Sequence, residues 1–119
     1  MSVDEGFVDW VREAVAPLGG LGVRKMMGGA SLYIDGTIFA ILDEGEIWFK
    51  ADAESDALWD EEGCARFTVT MKDGKTGTMN YRRGPADVYD DADAMLRWAR
   101  LGLEAGVRGA AKKKPKKRP

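Results

Sequence analysis

Histidine is absent from this 119-residue chain, and with it the commonest general base and the commonest metal-binding side chain. Cysteine occurs once, at Cys64, so no intramolecular disulfide can form and no cysteine pair is available for a zinc site. No apolar run approaches the ~18 residues that suggest a membrane helix. The first ten residues, MSVDEGFVDW, are acidic and unlike a signal peptide. Gly28-Gly29 lacks the flanking pattern of a nucleotide-binding loop. The acidic groups Asp43-Glu44, Asp60-Glu61-Glu62 and Asp90-Asp91 fall where turns and helix ends are expected, so they read as solvated or capping charge. These features predict a cytoplasmic, non-enzymatic protein with no cofactor and no metal.

Acidic residues are missing from one stretch in particular. Lys112, Lys113, Lys114, Lys116, Lys117 and Arg118 lie in the last eight residues with no acid among them, which leaves 12 basic and 20 acidic side chains in the rest. An acidic body, net −8, therefore carries a tail of +6. Repulsion between like charges and the prolines at 115 and 119 predict a disordered segment over 109–119. Six cations on a flexible arm can neutralise phosphates without reading sequence, so these residues are the candidate nucleic-acid contact.

The remaining chain, residues 1–108, reads as one α+β domain. Between Arg24 and Lys50 the pairs Asp35-Gly36 and Glu44-Gly45 separate short apolar runs, the signature of two-residue hairpin turns. Three strands follow from this, Arg24–Ile34, Thr37–Leu42 and Glu46–Lys50, the first interrupted at Gly28-Gly29 by a bulge or close backbone approach. Ahead of them, Ser2 and Glu5 fit a capping box, and Phe7, Trp10, Val11, Ala14, Val15 and Leu18 recur at helical spacing. Asp52 is placed to cap a short helix, Ala53–Glu62, with Gly63 beyond its end. A second hairpin, Arg66–Lys72 with Thr76–Arg82, alternates apolar and polar residues around Asp73-Gly74. The last helix, about Asp91–Val107, contains Gly102 and Gly106, which weaken it unless something approaches closely there. The element order is α-β-β-β-α-β-β-α: a two-layer sandwich of helices on a mainly antiparallel sheet of about five strands.

If both turns of the meander are two-residue hairpins, Leu32, Phe39, Ile41 and Trp48 share one face of the sheet. Tyr33, Ile38, Ala40, Leu42, Ile47 and Phe49 then share the other. Both faces are apolar; the first and last helices together can cover one, and the short second helix, a second copy of the chain or a partner protein must cover the other. The first set is therefore the candidate interface, for a second copy of the chain or for a partner protein.

The motif residues taken together resemble a known family. Arg24-x-Met26-x-Gly28-Gly29, then Leu32-Tyr33, Asp35-Gly36, Phe39-Ala40 and Lys50-Ala51-Asp52, are similar to the TfoX/Sxy N-terminal domain. The likeness continues through Gly63-Cys64, Phe67, Met79, Tyr81, Pro85, Asp91, Leu96, Trp98-Ala99 and Leu103-Glu104-Ala105. The resemblance implies a small α+β domain associated with bacterial competence regulators, non-enzymatic, and acting in transcription regulation through a protein partner, the cyclic-AMP receptor protein in the family's own setting. It supplies no catalytic residues. Two functions thus stand side by side. One is a regulatory interaction module. The other is a weak, sequence-indifferent nucleic-acid binder using the tail with Arg24, Lys25, Arg82 and Arg83, which the less similar YjbR-type domains would favour.

Overall fold

The computed structural model of the chain describes residues 5–26, 28–70 and 72–113. The cap expected at Ser2 and the tail cations Lys114, Lys116, Lys117 and Arg118 lie outside the described residues. Helix α1 (Glu5–Ala14) is followed by a 3-10 turn, Ala16–Leu18, where Pro17 ends the regular helix. Then come strands β1 (Leu21–Met26), β2 (Gly29–Ile34), β3 (Thr37–Asp43) and β4 (Glu46–Lys50), helix α2 (Asp56–Glu61), strands β5 (Arg66–Thr70) and β6 (Thr76–Arg83), a 3-10 turn at Ala86–Tyr89, and helix α3 (Ala92–Lys113). All strands pair antiparallel in one six-stranded sheet of order β1-β2-β3-β4-β6-β5.

The α+β class and the antiparallel sheet are as the sequence predicts, with one strand more. What reads as a bulge at Gly28-Gly29 is a hairpin: Met26 pairs with Gly29, and Gly28 takes φ 81°. Gly29 is needed for a second reason, because a Cβ there would overlap the Leu42 carbonyl of β3. The next two turns are as expected, with Asp35, Gly36, Glu44 and Gly45 all at positive φ. Helix α2 starts later than the sequence suggests. Asp52 closes a turn with Ser55, accepting its backbone N–H at 3.1 Å while the Asp52 N–H donates to Ser55 Oγ at 3.0 Å. Gly63, at φ 73°, follows the helix as predicted. Helix α3 runs on through Gly109–Lys113, so the first part of the stretch expected to be disordered is helical.

All three helices lie on one side of the sheet. Val8 and Val11 of α1, Trp59 of α2, and Met95, Trp98 and Ala99 of α3 join the inward residues of β2, β3 and β4 in one core. Trp59 is its centre, 5.6 Å from the Phe49 ring and 4.8 Å from Trp98. Such ring pairs contribute roughly 0.5–1.5 kcal/mol each beyond the area they bury. No helix among the described residues is long and apolar enough to cross a membrane.

A bulge in β3 overturns the expected register. Ile34 faces Thr37 and Tyr33 faces Ile38, but Leu32 faces Ala40, so Phe39 is the extra residue. Phe39 and Ala40 then both point into the helix-covered core, and from Ile41 onward the alternation is reversed relative to the sequence reading. Leu32 and Phe39, expected beside Ile41 and Trp48, are fully buried in that core. Ile41 and Trp48 pair across β3 and β4 on the opposite face. The four-residue interface set is thereby split in two.

Candidate docking face

The face of the sheet turned away from the helices is built by the outward positions of every strand. Following the pairing, one row runs Arg24, Ser31, Ile41, Trp48 and Arg83 across β1, β2, β3, β4 and β6. A second row holds Tyr33 and Ile38, with Lys50 facing Tyr81. A third holds Met26, Gly29, Asp43 and Glu46. Ile41, Trp48 and Tyr81 form a second apolar cluster, with Ile38 and Phe67 packed against it. Trp48 meets the Phe67 ring edge-on at 5.0 Å.

The second hairpin turns its apolar side outward. Phe67 and Tyr81, whose alternation implied a packed face, pack on Trp48 and Ile41 and not beneath a helix. Under α2 the same hairpin presents charge. Arg82 is 1% exposed and donates to Asp60 at 2.8 Å, to Asp56 at 3.2 Å and to the Cys64 carbonyl at 2.9 Å. Arg82 is thus committed inside the fold, and Lys25 is paired with Glu5 of α1 at 2.9 Å. Of the four body cations considered for nucleic acid, Arg24 and Arg83 stand on the open face.

No helix among the described residues covers this face; long cationic side chains do. The Arg83 guanidinium lies 5.3 Å from the Trp48 ring and the Lys50 ammonium 5.1 Å from that of Tyr81. Both are within the range of cation–π attraction. Arg83 also pairs with Glu46 at 3.3 Å. Trp48 is 8% exposed, and its indole N–H has no acceptor among the described residues. Burial, with the Tyr33 hydroxyl nearby, pushes the Tyr81 phenol above its ordinary range. Met26 and Met79 stand 48% and 44% exposed. Where β6 ends, a cleft of about 410 Å³ opens, with Asp43, Glu44 and Glu46 on its wall together with Arg66 and Arg83, and Trp48 and Phe67 among its lining.

The family-motif residues divide between architecture and this face. Gly28 lies in the first turn and Gly29 opens β2, Pro85 precedes the 3-10 turn, and Trp98 is core. Arg24, Met26, Lys50 and Tyr81 belong to the open face, where Ser31 Oγ donates to the Met26 sulfur at 3.5 Å. Three features escaped the sequence reading: the buried Arg82, the Arg83–Trp48 pair, and a bidentate contact of Arg108 with Asp52 at 2.6 and 2.9 Å. Alternation along β6 carried a signal for the first two, since adjacent arginines in a strand must point to opposite faces. Nothing local signals the third, whose partners are 56 residues apart. Cys64 is buried, and burial, with Glu62 nearby, raises its thiol pKa. Among the described residues no three His, Cys, Asp or Glu side chains come together as metal ligands.

The chain is similar to protein Sxy of Escherichia coli (strain K12), 27% identical over 97 residues, covering 82% of this chain and 46% of the relative. It is also similar to the DNA transformation protein TfoX1 of Aliivibrio fischeri, 30% identical over 79 residues, covering 66% of this chain and 35% of the relative. The chain thus matches less than half the length of either relative. The sequence profile of the TfoX N-terminal domain matches residues 5–106, from the start of α1 to the second glycine of α3. This chain belongs to the TfoX N-terminal domain family.

Proposed function

We propose that the chain is a non-enzymatic regulatory module that acts on transcription by contacting protein through the open strand face. Its setting is DNA transformation, the process in the name of the Aliivibrio fischeri relative. The observation that carries this reading is the cluster of Ile41, Trp48, Tyr81 and Phe67 on a sheet face that no helix among the described residues covers. An antiparallel sheet with one face in water normally turns polar residues outward. Aromatic and arginine side chains concentrated at one place are the residue types that dominate protein interfaces.

The test is transcript abundance of DNA-uptake genes in source cells lacking the chain and then supplied with wild type or Arg83→Glu. Arg83 is half exposed and lies over Trp48, so its reversal alters the face while leaving the helix-covered core intact. Wild type restores the transcripts, and the variant, accumulated to the same level, does not. Transcripts indifferent to the loss of the chain overturn the regulatory reading. Transcripts restored equally by the variant overturn the assignment to this face.

The six cations within the last eight residues support a second reading, a salt-sensitive contact of the tail with nucleic acid. It is compatible with the first, because tail and strand face are different parts of the chain.

A further inference from the structure

We propose that the outer edge of β1 pairs with the same edge of a second copy of this chain, antiparallel and centred on Val23, so that two six-stranded sheets become one. This edge is a separate surface from the strand face, and neither reading depends on the other.

The sheet has two edges, β1 and β5. The pairing of β5 is broken by an irregularity between Arg66 and Phe67, the kind of bulge that turns an edge away from further pairing. β1 pairs with β2 without interruption over all six of its residues. Its backbone groups alternate in direction. The turn between Met26 and Gly29 is two residues long, and such a turn closes on a pair that exchanges both backbone hydrogen bonds. Met26, Arg24 and Gly22 therefore bond inward to β2, and Gly20 keeps the same parity, its carbonyl accepting the Asp35 N–H at 3.0 Å. The N–H and C=O groups of Leu21, Val23 and Lys25 point outward, where no backbone partner meets them among the described residues. An open row of this kind is a template for another strand.

Side chains select which strand. In an antiparallel pair centred on Val23, Val23 meets its own counterpart and Leu21 meets Lys25 of the other copy. Every outward group of both copies then has a partner. Moving the centre by one residue leaves Lys25 or Leu21 beyond the end of the facing strand, and a centre at Arg24 also sets two guanidinium groups opposite each other. With Val23 at the centre, Arg24 meets Gly22 and Met26 meets Gly20, so each long side chain lies over a position that has none. Met26, 48% exposed in the single chain, gains cover. Charges such as Arg24 and Lys25 keep many edges from pairing, but here neither faces a cation.

Helix α1 follows the same symmetry. Glu5 opens α1 and reaches Lys25 at 2.9 Å, while the turn Ala16–Leu18 leads from the other end of α1 toward Leu21. α1 thus runs beside β1 in the opposite direction. The two-fold axis that reverses β1 also reverses α1. It turns the first turn of each copy, with Glu5, toward the last turn of the other, where Arg12 stands half exposed. Opposite charges are thereby brought toward each other. An edge that is its own complement under a two-fold rotation closes as an isologous dimer. A strand from a different protein would have to repeat this order of small and long residues, which the chain already carries.

Amide hydrogen exchange of the full wild-type chain reads the register directly. At high concentration the amides of Leu21, Val23 and Lys25 are protected, and dilution releases them. Those of Gly22, Arg24 and Met26, bonded to β2, keep their protection throughout. Sedimentation equilibrium shows a dimer that dissociates over the same dilution. Two substitutions at one position then check the facing side chains. A Cβ at Gly22 would meet only the Tyr33 Cβ at 3.7 Å, so either substitution fits the single chain. Gly22→Glu faces Arg24 of the other copy and tightens the dimer several-fold, whereas Gly22→Arg loosens it several-fold. A wild type that is monomeric at every concentration overturns the proposal and leaves the edge to a strand of a different protein. So does a dimer whose Leu21, Val23 and Lys25 amides exchange as they do in the monomer. Gly22 variants that leave association unchanged, or shift it in one direction, also overturn it. The transcript experiment with Arg83→Glu reads the strand face alone, so failure there and failure here are told apart.

Discussion

Asp52 joins two segments that the sequence does not connect. It accepts hydrogen bonds from Arg108 near the end of α3 and from Ser55 ahead of α2. The Arg108 guanidinium, opposed in part by burial and assisted by Ser55, lowers its carboxyl pKa from an ordinary 3.8 to about 2. A depressed carboxylate contributes stability that is present in full above its unfolded pKa and is lost as pH falls through the folded one. Wild type therefore loses this contribution as pH falls from about 4 to about 2. Arg108→Gln removes it, lowering stability at pH 7 by about 1–2 kcal/mol after allowance for solvent screening. The variant's stability also flattens over that acidic window. Urea melts of both proteins from pH 2 to pH 7 measure the difference. A constant gap across the whole range would assign Arg108 a packing role only. Asp52 was legible as a residue that would fix a turn, but its link to Arg108 was not, because charge pairing across 56 residues has no local pattern.

Docking of α3 on the sheet depends on two glycines one helical turn apart. A Cβ at Gly102 would meet the Phe39 carbonyl, and one at Gly106 the Ile38 carbonyl. These are the backbone groups at the β3 bulge, so helix and bulge fit each other. In an unconstrained helix Gly→Ala raises stability by up to ~1 kcal/mol. Here Gly106→Ala forces α3 off the strand and lowers stability by about 1–3 kcal/mol, the usual cost of overpacking. Gly109→Ala is the internal control, since its Cβ would meet only the flexible end of Lys50 at 3.4 Å. Denaturant melts of both variants should show the loss at 106 and no loss, or a small gain, at 109. Equal gains at both positions would refute the close-packing account. The sequence shows that two glycines sit in a helix against propensity, while their partner carbonyls lie in a strand more than sixty residues earlier.

For the whole molecule, charge is the property that separates body from tail. Any binding to duplex DNA should weaken linearly on a log–log salt plot, with a slope of up to about −0.9 per phosphate neutralised. A chain ending at Lys113 loses Lys114, Lys116, Lys117 and Arg118 and should show a correspondingly shallower slope and lower affinity. A salt titration of fluorescent duplex with the two chains decides the matter. An unchanged slope moves the contact to Arg24 and Arg83, because Lys25 is paired with Glu5 and Arg82 is buried against Asp56 and Asp60.

The sequence by itself determined what depends on neighbours along the chain. Asp35-Gly36 and Glu44-Gly45 specify their turns through backbone sterics, the short apolar runs between those turns mark β3 and β4, alternation marks the second hairpin, and a 3.6-residue period marks α1 and α3. The motif residues were sufficient for the family. Only the tertiary structure decided which apolar residues look toward the helices. One extra residue at Phe39 reverses every later side chain of β3, and its position is set by where α3 rests on the strand. The same packing places Arg82 beneath α2 and sets Trp48 on the other side of the sheet, covered by Arg83 and Phe67. Side-chain direction in a strand has a period of two, so a single irregularity anywhere in the sheet exchanges its faces. That irregularity is stabilised by contacts remote in sequence, and no local pattern records it.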